Sequence, residues 1–406
     1  MTEENWVAEE GGALELYDKI KSSNSNEFIP EAIPTTMHLP IRNSMAFFVV
    51  EPGISFHAVQ EVTGDRPRLS LQGWYHAKDP PSKIQNATLH RLKEKGSRDM
   101  ESEPFEAYQS PLTAVGVTEK SHFNSISDSD REYLSNYIQS TYLQPNSIQE
   151  IKKRFEDESS IQLRGFLVEK WVKKLSEELG RESGEDNDLI YTPDYFRCGI
   201  KDGWTLTGPP HKQRYLQYCG DTSNSEPSSI GEILATLKKA LLESQPFRRY
   251  IAVLTSLGEP TGFQGRIRRF RRGLDYTVAH HGLLMDQSVL DATLCFVAGA
   301  GKDVQSEIER DSNQISDADI QWQSGDYGGF ECYIAADEEE EAAPADEYNE
   351  EDDTELLSVS ASNNTLNLVY RDEGTMRFVK YVGSKAPSSR YDIAMVYEVE
   401  QDHDTD

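Results

Sequence analysis

The later part of the sequence repeats short segments of β-branched and aromatic residues that end at turn-forming residues. No helical pattern separates most of these segments from one another. Strands connected in this way pair as antiparallel sheets that pack face to face or close into a barrel. From Phe247 onward we therefore predict strands in YIAVLTSL, DYTVAHHG, DATLCFVAG, GGFECYIAA, LNLVYRDEGTMRFVKYV and DIAMVYEV.

Two further features of this region carry predictions. RDEG at 371–374 predicts a hairpin turn between the strands on either side of it. His280 and His281 have no carboxylate at a ligand spacing, so we predict turn or core roles for them and no metal site in residues 200–400.

Arginines are concentrated in one of the predicted strands, at positions 266, 268, 269, 271 and 272. A charged strand needs only one solvated face, so we predict a solvated strand whose charges offset the acidic excess of the chain. A docking patch for an acidic partner or for RNA is the alternative.

Helices are predicted between residues 126 and 246. SIQE at 147–150 and SIGE at 229–232 have the pattern of capping boxes, with Ser147 and Ser229 as N-caps. Apolar residues recur at helical spacing from Leu163 to Leu179, and Gly180 is expected to end that helix. Pro246 is expected to stop the helix that begins after Ser229.

Charge and cysteine content narrow the functional classes. A net charge of −29 argues against general binding to nucleic acid or anionic lipid. The four cysteines are far apart and form no CxxC pair, which argues against a zinc site or a disulfide framework. No apolar run approaches the ~18 residues of a membrane helix, and the acidic start lacks a signal-peptide core, so we expect an intracellular protein.

One segment is strongly acidic. Residues 337–355 hold twelve carboxylates and no basic residue. Such a segment cannot bury enough apolar surface to fold, so we predict a solvated, flexible loop between strands that is dispensable for folding.

The N-terminal part combines strand-like runs with a pair of polar residues. GALELYD and MAFFVVEPG read as strands, and residues 56–76 read as two strands around a tight connection. Strand alternation puts His57 on one face of the first strand, and Arg68 and Ser70 together on one face of the second. Inside a barrel, the arginine would hold a carboxylate and the imidazole would bind a metal. From these residues alone, a structural histidine and a solvent-facing arginine are the preferred interpretation.

A family resemblance favours metal and carboxylate binding by these residues over the structural interpretation. NSMAFFVVEPGISFHAVQEV followed by RLSLQGWYH closely resembles the iron- and 2-oxoglutarate-dependent dioxygenases that hydroxylate a prolyl residue of a small-subunit ribosomal protein. GGALELYD, RFRRGLDYTVAHHG, DYGGFECYIAAD and the final strands fit the same family in order. The resemblance implies tandem double-stranded β-helix (jelly-roll) domains, the first catalytic and the second not.

The resemblance also implies residue roles. His57 corresponds to the distal iron ligand, and Arg68 with Ser70 corresponds to the group that binds the distal carboxylate of 2-oxoglutarate. Fe(II), 2-oxoglutarate and L-ascorbate are the implied cofactor, cosubstrate and reductant.

The family's other two iron ligands form a His-x-Asp pair on a strand that precedes GGALELYD. In this sequence that strand is expected to lie upstream of Met1. None of the nine histidines here has Asp or Glu two places later, so we expect an N-terminally truncated member with no catalytic residues beyond those named above.

These observations give the following expectations. Residues 1–98 form the C-terminal part of a catalytic double-stranded β-helix domain, 99–125 a linker, and 126–406 a non-catalytic β-helix domain with helices. The function is prolyl dioxygenation of a ribosomal protein, linked to translation, in the cytoplasm and nucleus. The alternative is a non-catalytic protein that binds partners or regulates degradation.

Overall fold

Most of the regular structure is antiparallel β-sheet. The computed structural model describes residues 4–22, 27–75, 78, 104–108, 125–189, 193–220, 226–299, 317–336 and 355–399 of the chain. In these ranges seventeen strands alternate with six α-helices and several single turns of other helix types. The prediction of a mainly β fold with helices is confirmed.

The described residues of the N-terminal part form five short strands. They are β1 (Leu14–Tyr17), β2 (Lys19–Lys21), β3 (Phe28–Pro30), β4 (Thr36–His38) and β5 (Phe56–Val59). β1 lies between β4 and β5 in one antiparallel sheet, and β2 pairs with β3 separately. The five strands found in the described residues of this part have three or four residues each, and the predicted incompleteness of the first domain stays a prediction.

Two predicted strands of this part do not form. The run MAFFVVEPG and residues 66–75 carry no strand assignment, although β1 and β5 were predicted correctly. No strand among the described residues pairs with either segment, so that part of the chain offers their backbone groups no hydrogen-bonded ladder. Their apolar side chains are correspondingly exposed: Met45 by 87%, Leu71 by 98% and Tyr75 by 91%.

The remaining strands build the C-terminal part. They are β6 (Glu106–Ala107), β7 (Ser160–Arg164), β8 (Trp204–Thr207), β9 (Gln213–Tyr218), β10 (Gly262–Phe270), β11 (Tyr276–Thr277), β12 (Val289–Phe296), β13 (Glu331–Ala335), β14 (Glu355–Val359), β15 (Thr365–Arg371), β16 (Thr375–Val379) and β17 (Arg390–Glu398). A nine-stranded sheet follows the order β11-β9-β10-β17-β12-β15-β7, with β6 on β10 and β8 on β9. A three-stranded sheet has the order β14-β13-β16.

The two sheets face each other across polar side chains. Thr293 of β12 donates to Glu331 of β13 at 3.1 Å, and Arg377 of β16 contacts Asp291 of β12 at 2.9 Å. This is the two-sheet arrangement of a jelly roll, as predicted for this part of the chain.

Helices cover the other face of the nine-stranded sheet. They are α1 (Asp128–Leu134), α2 (Pro145–Glu158), α3 (Glu169–Leu189), α4 (Ile230–Leu237) and α5 (Gln245–Thr255). The sixth helix, α6 (Asp317–Gln323), packs through Trp322 with Cys295 and Val379 on the side of the small sheet. The largest apolar core lies between these layers, where residues such as Leu237 and Phe247 pack with Leu294 and Tyr397 of the sheet. Alternation along β12 and β17 therefore sends apolar side chains towards the helices and polar ones towards the small sheet.

The segment YIAVLTSL is helical, so its predicted strand is wrong. It lies largely within α5, whose N-cap Ser244 accepts a hydrogen bond from the backbone N–H of Phe247. Pro246 lies in the first turn of α5, where its missing N–H costs nothing. Pro246 thus marks the start of one helix as well as the end of the preceding one.

Other helix boundaries also differ from the prediction. Ser229 is the N-cap of α4, as predicted, whereas α2 begins at Pro145 with Gln144 as its N-cap instead of Ser147. Leu163 lies in β7, and α3 continues through Gly180. A proline at the first helical position and alternating burial in β7 outweigh the local motif and the apolar spacing.

The predicted hairpin at RDEG does not form. β15 pairs with β12 and β7, and β16 pairs with β13 in the other sheet. The turn at Gly374, where φ is +83°, therefore carries the chain from one sheet to the other. A turn motif specifies a reversal of direction but does not specify which strand becomes the partner.

Three of the five arginines in β10 and after it are paired and largely buried, so the predicted solvated strand is wrong for them. The alternative of a docking patch is not tested. Arg268 pairs with Asp392 at 2.8 Å, Arg269 with Glu182 at 2.9 Å, and Arg271 with Asp275 at 2.8 Å. Arg269 is 3% exposed and Arg271 is fully buried. Their charges are neutralised inside the protein because both faces of this sheet are covered.

The N- and C-terminal parts are in contact. The buried side chains of Tyr195 and Leu274 pack against Ile33 and Met37 of the N-terminal part. The strand β6, inside the predicted linker 99–125, pairs with β10. The three domain boundaries stay predictions.

Two predictions fall partly or wholly outside the described residues. The acidic segment does so apart from Glu355, which begins β14. Met1 also lies outside them, since the first described range begins at Glu4. The expectation of a His-x-Asp strand upstream of Met1 is therefore not tested by the fold. In the described ranges no helix is long and apolar enough to cross a membrane.

Candidate functional site

His57 is held by β5 against β1. It pairs with Leu16 in antiparallel register and its side chain is exposed, with its ring 5.0 Å from that of Phe48. Nδ1 lies 2.9 Å from the carbonyl oxygen of Ser55. Because a carbonyl only accepts, this contact makes Nδ1 the donor, and in the neutral imidazole Nε2 is then the nitrogen that can bind a metal.

The two faces of this small sheet have different surroundings. Phe56, next to His57, is buried and its ring stacks on His211 of the C-terminal part at 6.1 Å. Tyr17, the partner of Phe56 on β1, accepts a hydrogen bond from Arg214 at 3.2 Å. Since side chains alternate along a strand, this packing turns His57 towards the open face.

Arg68 is positioned by the chain before β1. Its Nε donates to the carbonyl oxygen of Gly12 at 2.8 Å, and its Nη1 donates to Ser70 Oγ at 3.2 Å. Gly12 has φ +70°, and a Cβ there would lie 2.8 Å from Cδ of Arg68. Nη2 makes no hydrogen bond to the described residues, so one edge of the guanidinium remains available for a ligand.

The relative placement of His57 and Arg68 follows from the ladder. Gly12, which holds Arg68, lies four residues before Leu16, which pairs with His57. Four residues of extended chain correspond to roughly 13 Å. Both side chains are therefore anchored on one continuous segment, 12–16. Arg68 is not in a strand, contrary to the prediction, and a direct contact between the two is not present.

This arrangement suits an elongated anion. The guanidinium offers charge-assisted hydrogen bonds to a carboxylate, and the Ser70 hydroxyl adds a neutral donor beside it. The imidazole lies further along the segment with a free lone pair. A dicarboxylate fits this arrangement if Arg68 binds one of its ends and His57 binds a metal that is held at its other end.

Comparison with known proteins identifies the family. Residues 129–406 match the family described as "Oxoglutarate and iron-dependent oxygenase degradation C-term", and residues 1–76 match the "2OG-Fe(II) oxygenase superfamily". The prolyl 3,4-dihydroxylase OGFOD1 of Ostreococcus tauri is 33% identical over 399 residues, covering 97% of this chain and 70% of that protein. The chain belongs to the 2-oxoglutarate- and iron-dependent prolyl hydroxylase family.

Other relatives carry related names. The prolyl 3-hydroxylase OGFOD1 of Xenopus laevis is 25% identical, with 94% of this chain and 62% of that protein covered. The prolyl 3-hydroxylase sudestada1 of Drosophila melanogaster is 26% identical, with 95% and 59% covered. The chain thus spans between 59% and 70% of the length of these three family members.

A solved structure shows a weaker similarity. The crystal structure of a Pseudomonas putida prolyl-4-hydroxylase superposes with a TM-score of 0.33 at 12% identity, covering 62% of this chain and 99% of that one.

The family implies a bound Fe(II), which requires a specific set of ligand side chains. A facial triad needs two histidines and one carboxylate around one point. In the described part of the chain no three His, Cys, Asp or Glu side chains come together in that way. His57 can supply one ligand through Nε2, but the described residues do not complete an iron site. The fit is better for 2-oxoglutarate, because Arg68 has a free guanidinium edge.

The expected source of the other two ligands stays a prediction. The His-x-Asp pair was placed upstream of Met1, and Met1 is not among the described residues. Among the described residues, the resemblance assigns the role of iron ligand to His57, and no cluster of three potential ligands is found there. The site residues that can be located are therefore His57, Arg68 and Ser70.

Two residues of the site were not identified from the sequence. Gly12 supplies the acceptor for Arg68, and Glu61 links this region to the C-terminal part. The Gly-Gly pair at 11–12 was a detectable signal, because adjacent glycines before a strand often permit positive φ. Glu61 gave no signal, since a single carboxylate at a strand end is usually solvated.

Proposed function

We propose that this chain serves 2-oxoglutarate- and Fe(II)-dependent hydroxylation of a proline in a small-subunit ribosomal protein, and so acts on translation. The observation that carries the proposal is the anchoring of Arg68 and His57 on segment 12–16, with Ser70 bonded to Arg68, within the region that matches the oxygenase superfamily. Relatives named prolyl hydroxylases support the choice of a prolyl substrate.

The residues take these roles. Arg68 binds the distal carboxylate of 2-oxoglutarate, with Ser70 as an additional donor, and His57 Nε2 is one ligand of the iron. When both are bound, iron and 2-oxoglutarate supply oxygen activation, with the cosubstrate converted to succinate and carbon dioxide. The proposal includes L-ascorbate as reductant and a location in the cytoplasm and nucleus. The described residues are assigned binding roles only.

The test separates cosubstrate binding from turnover. Titration calorimetry with 2-oxoglutarate is expected to show binding that Arg68→Met abolishes and that Arg42→Met, at an exposed ion pair with Glu4, leaves unchanged. Binding that does not depend on Arg68 would overturn the proposal.

Turnover is measured in the presence of Fe(II) and ascorbate. The two readouts are the release of succinate and the gain of one oxygen by a proline-containing ribosomal peptide. The control is the same peptide with alanine in place of the proline.

The second candidate function is a non-catalytic one in partner binding or regulation of degradation. The observation that favours it is that only one potential iron ligand of the expected set is found in the described residues, while the match described as a degradation domain covers 129–406. Arg68-dependent binding of 2-oxoglutarate without oxygen transfer to the peptide would favour this function. Oxygen transfer at the proline would exclude it as the sole role.

A further inference from the structure

Glu61 connects the N-terminal part to the C-terminal part through its side chain. Its carboxylate accepts a hydrogen bond from the backbone N–H of Ser384 at 2.8 Å and another from the hydroxyl of Tyr381 at 3.1 Å. Burial, and then the nearby Glu61 carboxylate, raise the pKa of Tyr381, so its hydroxyl keeps the proton that it donates. Hydrogen bonds to a charged acceptor are the stronger kind.

The loop that holds Glu61 is itself fixed. Val382 N–H donates to the carbonyl of Asp275 at 3.1 Å, and Gly383 N–H donates to the carbonyl of Tyr327 at 2.8 Å. The Val382 carbonyl in turn accepts from Gly273 N–H at 2.7 Å. The donors to Glu61 therefore belong to the packed framework of the C-terminal part, and their position is set by that framework.

The backbone of Glu61 leads to the candidate cosubstrate site. Its carbonyl accepts from Gly12 N–H at 2.9 Å, and the Gly12 carbonyl accepts from Arg68 Nε at 2.8 Å. Gly12 has positive φ and passes close to Arg68, so a small shift of Gly12 changes where the guanidinium points. A continuous series of hydrogen bonds thus runs from Tyr381 and Ser384, through Glu61 and Gly12, to Arg68.

We propose that Glu61 is a positioning residue through which the C-terminal part fixes Arg68 in the orientation that binds the distal carboxylate of 2-oxoglutarate. The inference rests on the proposed function for the identity of the anion. The C-terminal part thereby contributes to cosubstrate affinity without touching the cosubstrate.

The test alters each end of this series. Tyr381→Phe removes one donor on the C-terminal side and leaves the N-terminal part unchanged. Glu61→Ala removes both side-chain bonds, and Glu61→Gln keeps an acceptor for Ser384 N–H. Asp65→Ala is the matched control, since it removes an exposed carboxylate between Glu61 and Arg68. For each variant of the full chain, the dissociation constant for 2-oxoglutarate is measured by calorimetry and amide hydrogen exchange is measured over 10–13 and 61–70.

Loss of one or two hydrogen bonds is expected to weaken 2-oxoglutarate binding roughly two- to tenfold per bond. Glu61→Ala should therefore show the largest effect, Tyr381→Phe a smaller one, Glu61→Gln partial rescue, and Asp65→Ala none. Exchange over 10–13 and 61–70 should accelerate in the same order. If Glu61→Ala does not fold, Tyr381→Phe decides the result.

The inference is overturned if both Tyr381→Phe and Glu61→Ala bind 2-oxoglutarate as the unaltered chain does, or if exchange near Gly12 and Arg68 is unchanged. Failure of the proposed function gives a different result. In that case the unaltered chain does not bind 2-oxoglutarate, and accelerated exchange in the variants still supports the positioning of Arg68 by Glu61.

Discussion

Arg68 is held by the main chain of Gly12, whose carbonyl oxygen accepts its Nε hydrogen bond at 2.8 Å. The bond requires a close approach, because a side chain at position 12 would begin 2.8 Å from Cδ of the arginine. Glycine is therefore needed at this position for two reasons, the backbone angle of φ +70° and the space that Arg68 occupies. The orientation of the guanidinium depends on a residue with no side chain of its own.

Gly12→Ala is expected to displace Arg68 and to reduce 2-oxoglutarate binding at least tenfold, with a loss of about 1–2 kcal/mol in unfolding free energy from the positive φ. The matched control is Gly258→Ala, because Gly258 has φ +79° and no atom within 4 Å of a Cβ. It should show the loss of stability without the loss of binding. Urea unfolding and calorimetry measure the two effects, and equal binding in both variants would contradict the role of Gly12.

Arg68→Lys tests the planar guanidinium directly. An ammonium retains the charge but cannot offer two parallel donors to a carboxylate, and it lacks the planar guanidinium that bonds Gly12 through Nε and Ser70 through Nη1. We expect roughly ten- to hundredfold weaker binding of 2-oxoglutarate, since a lost charge-assisted hydrogen bond is worth about 1.5–3 kcal/mol. Arg42→Lys, at an exposed ion pair, should bind as the unaltered chain does. Calorimetric titration gives the constants, and equal affinity of both lysine variants would remove the assignment of Arg68.

The sequence allowed the strands of GALELYD and of His57 to be predicted, because apolar residues recur along both at strand spacing. The alternation did not predict which face is buried, since Glu15 and Tyr17 are buried while Leu14 and Leu16 are only partly buried.

The sequence did not allow the surroundings of Arg68 to be predicted. The residue pattern predicts a strand at 66–75. A strand forms only where another chain segment pairs with it, and the residues of 66–75 do not specify such a partner.

The dependence of strands on distant partners also explains which predictions failed in the C-terminal part. Local signals were sufficient for β12, β15 and β17, whose side chains alternate between an apolar and a polar environment. They were insufficient for the pairing of β15 and β16, which depends on contacts far apart in the chain. The arginines of β10 were misinterpreted because their acidic partners, such as Asp392 and Glu182, are distant in sequence.

Arg377 is the centre of the buried ion pairs between the two C-terminal sheets. It is 5% exposed and contacts Asp291 at 2.9 Å and Glu331 at 2.6 Å. Arg377→Met removes a positive charge that neutralises the two buried carboxylates, so we expect a loss of about 3–5 kcal/mol in unfolding free energy. Lys380→Met is the control, since it removes a half-exposed pair with Glu355 worth at most about 1 kcal/mol. Chemical denaturation measures both, and similar losses would show that the buried pairs are not stabilising.

Acid should destabilise the protein through Glu331. Burial by itself would raise the pKa of the Glu331 carboxyl, but Arg377, Arg390 and Arg268 outweigh it and lower the pKa from 4.5 to about 2. A carboxyl with a lowered folded-state pKa stabilises the fold above its unfolded pKa, and this contribution is lost as pH falls from about 4.5 towards 2.

Glu331→Gln removes this proton uptake, so its unfolding free energy should fall less steeply than that of the unaltered chain between pH 4.5 and pH 2, although it is less stable at pH 7. Glu226→Gln is the control, because Glu226 lies in an exposed pair with Lys174 and should leave the slope nearly unchanged. Urea unfolding at a series of pH values gives the slopes. If Glu331→Gln and the unaltered chain had parallel pH profiles, Glu331 would not be the group whose protonation weakens the fold in acid.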